Sequence, residues 1–321
     1  MPSLIHKLSA LALCCATLSA WLGYPAPAMA SAPLAKVRNP GFYKMMLGKF
    51  EVTALLDENS PWPGQLEELF PKMSAEEKAS VRSRTHLSAN VDFSTIAFLV
   101  NTGSKLILID AGGGRVENYG QIFANLQAAG YLPEQVDDVF ITHMHPDHIG
   151  GLSDASRRNF PNATVHADQR EMPQYQAMAA KNNATGRTVL AKITPYIDAG
   201  KYQTFNGDTT FYPGLRSIAS YGHSDGHSFY AIESDGQKMV FWGDFVVNEK
   251  VQFDLPDSIP PGERDAQAGI VLRRKVFGEA ARHGYLIGGA HMPFPGVGRL
   301  RSLGSSYVFV AQDYAALPNR S

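Results

Sequence analysis

The sequence predicts an α/β fold in which two packed sheets carry helices on their outer faces. Three observations predict it. Strand-like and helix-like stretches mix along the whole length, hairpin patterns occur in both halves, and five apolar runs each end on a metal-ligand type of side chain. A purely parallel doubly wound sheet would lack the hairpins. Of 321 residues, 44% are hydrophobic and 18% charged, which supports a sizeable core and excludes a disordered chain.

Residues 1–30 read as a separate piece. Lys7 sits in a short polar start, residues 8–22 are mostly apolar, and Ala28-Met-Ala30 offers a small-x-small cleavage pattern. The apolar run falls short of the roughly 20 residues that a membrane-spanning helix needs. A secretory signal peptide cut after Ala30 is therefore expected, with a single domain over 31–321, no membrane anchor after cleavage, and a periplasmic or secreted product. Cys14 and Cys15 both lie in the leader, so the mature chain would hold no disulfide and no thiolate ligand. Its loss leaves 28 of the 29 basic residues against 30 acidic ones, with no long basic run, which argues against nucleic acid as a partner.

After a loose arm at 31–39, residues 49–56 read as a strand and Ser74-Ala-Glu-Glu77 as a capping box that opens a helix. Runs 95–100 and 105–109 flank Asn101-Thr-Gly-Ser104 as one hairpin. Runs 229–233 and 238–242 flank Ser234-Asp-Gly-Gln237 as another. A helix over 117–129 has Tyr119, Ile122, Phe123, Leu126 and Ala129 on one face and stops at Gly130. A second, over 265–283, turns Leu272, Val276, Phe277 and Ala280 inward and ends at Gly284.

The five strand ends carry the functional signal. Leu106-Ile-Leu-Ile runs into Asp110, Val139-Phe-Ile-Thr into His143, and Ser217-Ile-Ala-Ser-Tyr-Gly into His223. Met239-Val-Phe-Trp-Gly runs into Asp244, and Tyr285-Leu-Ile-Gly-Gly-Ala into His291. Ligands of α/β proteins gather outside the carboxyl ends of strands, so these side chains can converge. The densest stretch is Ile141-Thr-His-Met-His-Pro-Asp-His-Ile-Gly-Gly151. His143 and His145, two apart in extended backbone, point to one side, and Pro146 suits the first position of a helix that projects Asp147 and His148 nearby. Such a cluster can serve two ions, with neutral imidazoles and carboxylates suited to zinc, iron, cobalt or manganese. His86, His166 and His283 lack partner spacing and read as surface or capping residues.

His143-x-His145-x-Asp147-His148, Gly222-His223-Ser224-x-Gly226-His227, Gly243-Asp244 and His291 together resemble the signature of the metallo-β-lactamase superfamily. The mature chain is most similar to methyl parathion hydrolases and their lactonase-like relatives. That similarity runs through Gly41-Phe-Tyr-Lys-Met-Met-Leu-Gly-Lys-Phe50, Leu99-Val-Asn-Thr-Gly-Ser-Lys-Leu106, Val251-Gln-Phe-Asp254 and His291-Met-Pro-Phe-Pro-Gly296. The resemblance implies an αββα sandwich of two mixed sheets. It implies that His143, His145 and His223 hold one divalent ion, that Asp147, His148 and His291 hold a second, and that Asp244 bridges both. Zinc is the first expectation, with manganese, cobalt, iron or cadmium as alternatives. His227 and Asp110 are expected behind these ligands. Tyr175 stands where a pocket aromatic is expected, with Trp62 and Phe294 as further apolar candidates. Thr185 and Gly186 stand where the nearest relatives are expected to place phenylalanine.

Two such ions lower the pKa of a shared water from about 15.7 toward neutrality. The expected activity is hydrolysis by a bridging hydroxide, with Asp147 and Asp244 as the catalytic carboxylates. The expected substrates are small organophosphate triesters, lactones or aryl esters, with a homodimer as the possible assembly. An acyl-homoserine lactonase or β-lactamase is the alternative, and a metal-binding module without turnover is the rival from another class.

Overall fold

Strand and helix assignments follow the alternation of apolar residues. Ile96, Phe98 and Val100 point to one face of their strand while Ala97 and Leu99 point to the other, and all five are buried. A strand apolar on both faces belongs in the middle of a layered structure, covered from both sides. The computed structural model describes residues 34–87, 90–116, 119–314 and 317, so the expected leader and both cysteines lie outside the described residues. The chain divides at Asn39/Pro40, and residues 34–39 form no helix or strand.

Within Pro40–Ser321 the first sheet takes β1 (Phe42–Leu47), β2 (Phe50–Pro63), β3 (Asn90–Asn101), β4 (Leu106–Ile109), β5 (Asp138–Phe140), β8 (Thr164–Asp168) and β9 (Tyr202–Phe205), in that spatial order. Its β1 to β4 are antiparallel, and β4, β5, β8 and β9 run parallel. A short ribbon, β6 (Ser153–Asp154) with β7 (Arg157–Arg158), stands apart. The second sheet takes β10 (Thr210–Tyr212), β11 (Leu215–Ala219), β12 (Ser228–Ser234), β13 (Gln237–Phe241), β14 (Leu286–Gly288), β15 (Val297–Leu303) and β16 (Ser306–Ala311), with only β13 and β14 parallel.

Three apolar layers define the sandwich. Ile96, Phe98, Ile107 and Ile109 of the first sheet meet Tyr230, Met239 and Phe241 of the second in the central layer. On the far side of the first sheet, Leu99, Leu108 and Val165 pack against α3 (Gln121–Ala128), α5 (Glu171–Ala180) and α6 (Ala184–Asp198) through Leu126, Tyr175 and Ile193. On the far side of the second, Phe229, Val240 and Trp242 pack against α8 (Ala266–His283) through Val276, Phe277 and Ala280. The expected architecture is therefore present, and both expected hairpins form.

Among the described residues the remaining α-helices are α1 (Gln65–Leu69), α2 (Ala75–Thr85), α4 (Pro146–Ile149) and α7 (Glu249–Gln252). The capping box of α2 forms with both bonds in place. Helix α3 starts at Gln121 rather than 117. Gly120 takes a left-handed φ of 91°, which a helix interior excludes, and Asp57 of β2 fixes the start by accepting from the backbone N–H groups of Gly113, Gly120 and Ile122. No described helix is long and apolar enough to cross a membrane.

Candidate metal centre

All seven expected ligands meet at one rim of the sandwich. The first sheet contributes His143, His145, Asp147 and His148 from the segment after β5. The second contributes His223 after β11, Asp244 after β13 and His291 after β14. Pro146 occupies the first position of α4, with His145 as its N-cap, so the chain turns between the two imidazoles and the Asp147–His148 pair. Close backbone approach makes that turn fit: a Cβ on Gly151 would stand 1.9 Å from the carbonyl oxygen of Ala111. Gly243 supplies a φ of 51° just before Asp244, where Thr142 and His227 leave no room for a side chain.

The donors fall into two groups that share Asp244. In one, His143, His145, His223 and Asp244 each offer an atom, all within 4.8 Å of one another. In the other, Asp147, His148, His291 and Asp244 do the same. His143 Nε2 lies 2.8 Å from His145 Nδ1, which lies 3.1 Å from His223 Nε2. Asp244 Oδ2 stands 3.6 Å from His143 Nε2 and 3.4 Å from His223 Nε2. Its Oδ1 stands 2.8 Å from His148 Nε2 and 2.9 Å from His291 Nε2, and Asp147 Oδ2 is 3.3 Å from His291 Nε2.

These residues fit a pair of divalent ions. Ligands around a tetrahedral ion with bonds of about 2.1 Å sit roughly 3.4 Å apart, and the observed spacings bracket that value. Three imidazole nitrogens crowded on one point cannot all satisfy each other. His148 Nε2 and Asp244 Oδ1 are buried and close, yet neither makes a hydrogen bond of acceptable angle. Unpartnered buried atoms aimed at a common point are what a cation would satisfy. The superfamily pattern and this His/Asp site together suggest divalent metal ions, usually zinc.

The two groups differ in charge. Burial and the surrounding imidazoles hold His143 well below its ordinary 6.5, and burial with His223 pushes His145 down to about 4. At the other corner burial opposes charge, but Asp244 and Asp147 overcome it and push His291 up to about 10. His148 is raised well above 6.5 against the same opposition by Asp244, Asp147 and Asp110. Burial would raise Asp147 and Asp244 as well, but His148 chiefly, with His291 beside it, holds both carboxyls below their usual range. His143 and His145 are thus held neutral, while His148 and His291 form imidazolium–carboxylate pairs with Asp147 and Asp244.

The imidazoles are held from behind. Asp110 accepts from the Thr142 backbone N–H at 2.8 Å, from the Thr142 hydroxyl at 2.8 Å and from His148 Nδ1 at 2.9 Å. His291 Nδ1 meets the Ser94 carbonyl at 2.8 Å. His227 Nε2 accepts from the Asp244 backbone N–H while its Nδ1 meets Ser220 Oγ at 2.7 Å, so it supports Asp244 and is no ligand. Glu171, which sequence reasoning missed, accepts from the Met144 N–H at 2.9 Å, the Gly226 N–H at 2.8 Å and the Ser224 hydroxyl, stitching the two histidine loops together. Burial pushes its carboxyl up.

A cleft of about 440 Å³ opens over Asp147, His223, Asp244 and His291, walled by Trp62, Phe93, Tyr119, Val247, Pro260 and Pro261. Two larger grooves elsewhere, of about 840 and 770 Å³, are lined by none of the seven donors. Trp62 lines the cleft as expected, but the other two aromatic candidates do not. Tyr175 is buried among Met172, Val189 and Ile193 beneath the first sheet, and Phe294 packs half-buried on the central layer. Phe93, overlooked in the sequence, stacks on the His291 ring at 4.3 Å and meets Trp62 edge-on at 5.2 Å. Thr185 and Gly186 lie inside α6, and Gly186 permits contact with α5, since a Cβ there would stand 2.6 Å from the Ala179 nitrogen. His86 caps α2 and His283 is the last residue of α8, as expected. His166 is instead buried, stacked on Phe140 and bonded to Asp138 at 2.8 Å.

Comparison with known proteins bears on the fold and the family. Residues 91–275 match the metallo-beta-lactamase superfamily domain. The crystal structure of the hydrolase AbOPH, of the beta-lactamase superfamily, superposes with a TM-score of 0.80 at 31% identity, covering 87% of this chain and 100% of that one. AidC, a dizinc quorum-quenching lactonase, gives 0.77 at 24% identity over 86% and 99% of the two chains, which speaks to the fold alone. Among curated sequences, Beta-lactamase-like protein 2 homolog of Caenorhabditis elegans is 26% identical over 155 residues, 48% of this chain and 45% of that protein. N-acyl homoserine lactonase of Bacillus cereus is 26% identical over 120 residues, 37% of this chain and 42% of that one. The chain spans less than half the length of these two curated relatives. With the domain match covering more than half its length and AbOPH aligned throughout, the chain belongs to the metallo-beta-lactamase superfamily.

Proposed function

We propose that the protein is a metal-dependent hydrolase that cleaves small phosphotriesters, lactones and aryl esters with water as the nucleophile. The observation that carries the reading is the pair of four-donor groups sharing Asp244 at the floor of an apolar cleft. When bound, a pair of divalent ions supplies Lewis acidity and makes a water acidic enough to lose its proton near neutral pH. The residues of the chain do the rest. Asp244, buried between the two groups, spans them with one oxygen toward each. Asp147 is the carboxylate of the centre most open to the cleft, its side chain 24% exposed, and so is the one placed to contact a proton of the substrate or water.

Trp62, Phe93 and Val247 offer an apolar wall to the aryl or alkyl part of a substrate, and the volume suits a small molecule. The similarity to the hydrolase AbOPH over its full length supports a hydrolase. The leader of residues 1–30 belongs to the same proposal, with export to the periplasm or beyond. The test is a kcat/KM comparison of methyl parathion, dihydrocoumarin, an acyl-homoserine lactone and a cephalosporin on one metal-loaded sample. The first two should lead. A best rate on the cephalosporin would move the assignment to a β-lactamase, and no hydrolysis with both sites filled would leave a metal-binding module.

A further inference from the structure

The segment after α7, residues 254–265, forms one wall of the cleft through Pro260 and Pro261. It is strapped to the His223 loop by backbone hydrogen bonds, from Asp265 N to Gly222 O at 2.9 Å and from Arg264 N to His223 O at 3.3 Å. Outside, Arg264 pairs with Asp225 at 3.2 Å. This strap delivers Glu263 to the back of His223. The Glu263 side chain is 3% exposed, and its Oε1 lies 3.7 Å from His223 Nδ1 and 3.5 Å from Arg273 Nη2. Room for it comes from the first turn of α8, where a Cβ on Gly269 would stand 2.7 Å from Glu263 Oε2.

Arg273 is itself buried, over the Phe245 ring at 5.8 Å, and donates to the carbonyls of Pro256 at 3.1 Å and Ser258 at 3.0 Å. His223 Nδ1 and Glu263 Oε1 are both buried without a hydrogen-bond partner. Of the expected metal-binding imidazoles in this centre, His143, His148 and His291 have their second nitrogen bonded to a hydroxyl, a carboxylate and a carbonyl. His223 alone among these faces a charged acceptor that it does not yet reach. A ligand imidazole whose far N–H is held by a carboxylate is fixed in tautomer and orientation.

We propose that Glu263, anchored by Arg273, is the positioning carboxylate of His223, and that this contact ties the Pro260–Pro261 wall to the occupied metal site. The proposal rests on the metal-centre reading above. It is tested by titrating the full chain with Co²⁺ and following the visible ligand-field bands. Glu263→Gln keeps the shape and withdraws the charge. It is expected to weaken binding at the His143/His145/His223 corner by about 10–100-fold and to shift the bands.

Because Glu263→Gln leaves Arg273 facing a neutral group, Glu263→Leu/Arg273→Met removes both buried charges together. It should show the same loss of affinity with a metal-free unfolding midpoint close to wild type. Arg274→Ala, which releases the outer end of the same segment from Asp257, should leave affinity and bands unchanged. Wild-type affinity in both Glu263 variants would overturn the proposal, as would an equal loss in Arg274→Ala, which would assign the effect to the loop as a whole. A wild-type chain that takes up no cobalt would overturn the metal-centre reading and this proposal with it.

Discussion

Replacing Asp110 by Asn separates the role of its charge from that of its backbone. Asp110 sits at a left-handed φ of 61°, a conformation Asn also tolerates, so the turn after β4 should survive. Asn keeps one oxygen for the Thr142 N–H. Its amide nitrogen then faces His148 Nδ1 and the Thr142 hydroxyl, where a carboxylate oxygen accepted from both. The Thr142 oxygen can accept from that amide, but the buried His148 N–H then meets a donor and has no acceptor. A hydrogen bond to a charged acceptor is worth about 1.5–3 kcal/mol. Loss of the group behind a metal-binding imidazole costs about 10–100-fold in affinity, or roughly 1.4–2.7 kcal/mol, so the two routes agree.

Competition with a chromophoric chelator, at several pH values, measures the effect. Asp110 also helps raise the proton affinity of His148, so the variant's imidazole competes less with protons. Its deficit should be widest at high pH and narrow as pH falls. A folded Asp110→Asn protein with wild-type affinity at high pH, or a deficit that widens in acid, would refute the reasoning.

Other perturbations probe the same network. In the metal-free protein His291 is pushed up to about 10 from 6.5. Its ion pairs therefore contribute stability that is fully present below pH 6.5 and lost as pH rises through about 10, and a urea midpoint that fails to fall over that range would contradict the pairing. Asp244→Ala should lose bound metal and turnover together, as read by elemental analysis and a hydrolysis assay, because both donor groups use that side chain. Glu171→Gln should cost about 1–3 kcal/mol in chemical denaturation, since the Met144 N–H would face an amide nitrogen instead of an acceptor.

Much of this was legible in the sequence because the donors follow strands. Apolar runs ending on Asp110, His143, His223, Asp244 and His291 mark both the layers and the rim where the site forms, and spacing within 143–148 marks the cluster. What escaped lies where periodicity is weak or contacts are distant. Helices α5 and α6 contain Pro173 and Pro195, which weaken a helical pattern, and the close approach of Gly186 to α5 has no local signal. Glu171, Phe93 and Glu263 reach the centre from segments without any local motif. His166 looked solitary because its partner, Asp138, lies on the neighbouring strand. Tyr175 and Phe294 miss the cleft for the same reason: a side chain's facing is set by the packing of its element.

The division of the donors, four from one sheet and three from the other, would make each ion a further fastener across two layers that Glu171 and the Ser94–His291 bond already join at this edge. Chelation should therefore not unzip either sheet. It should let the sandwich gape at one lip while the aromatic filling around Phe98 and Phe241 keeps the rest shut. Amide exchange after metal removal would then rise first at 143–148 and 289–292, with the β3 and β13 interiors still protected.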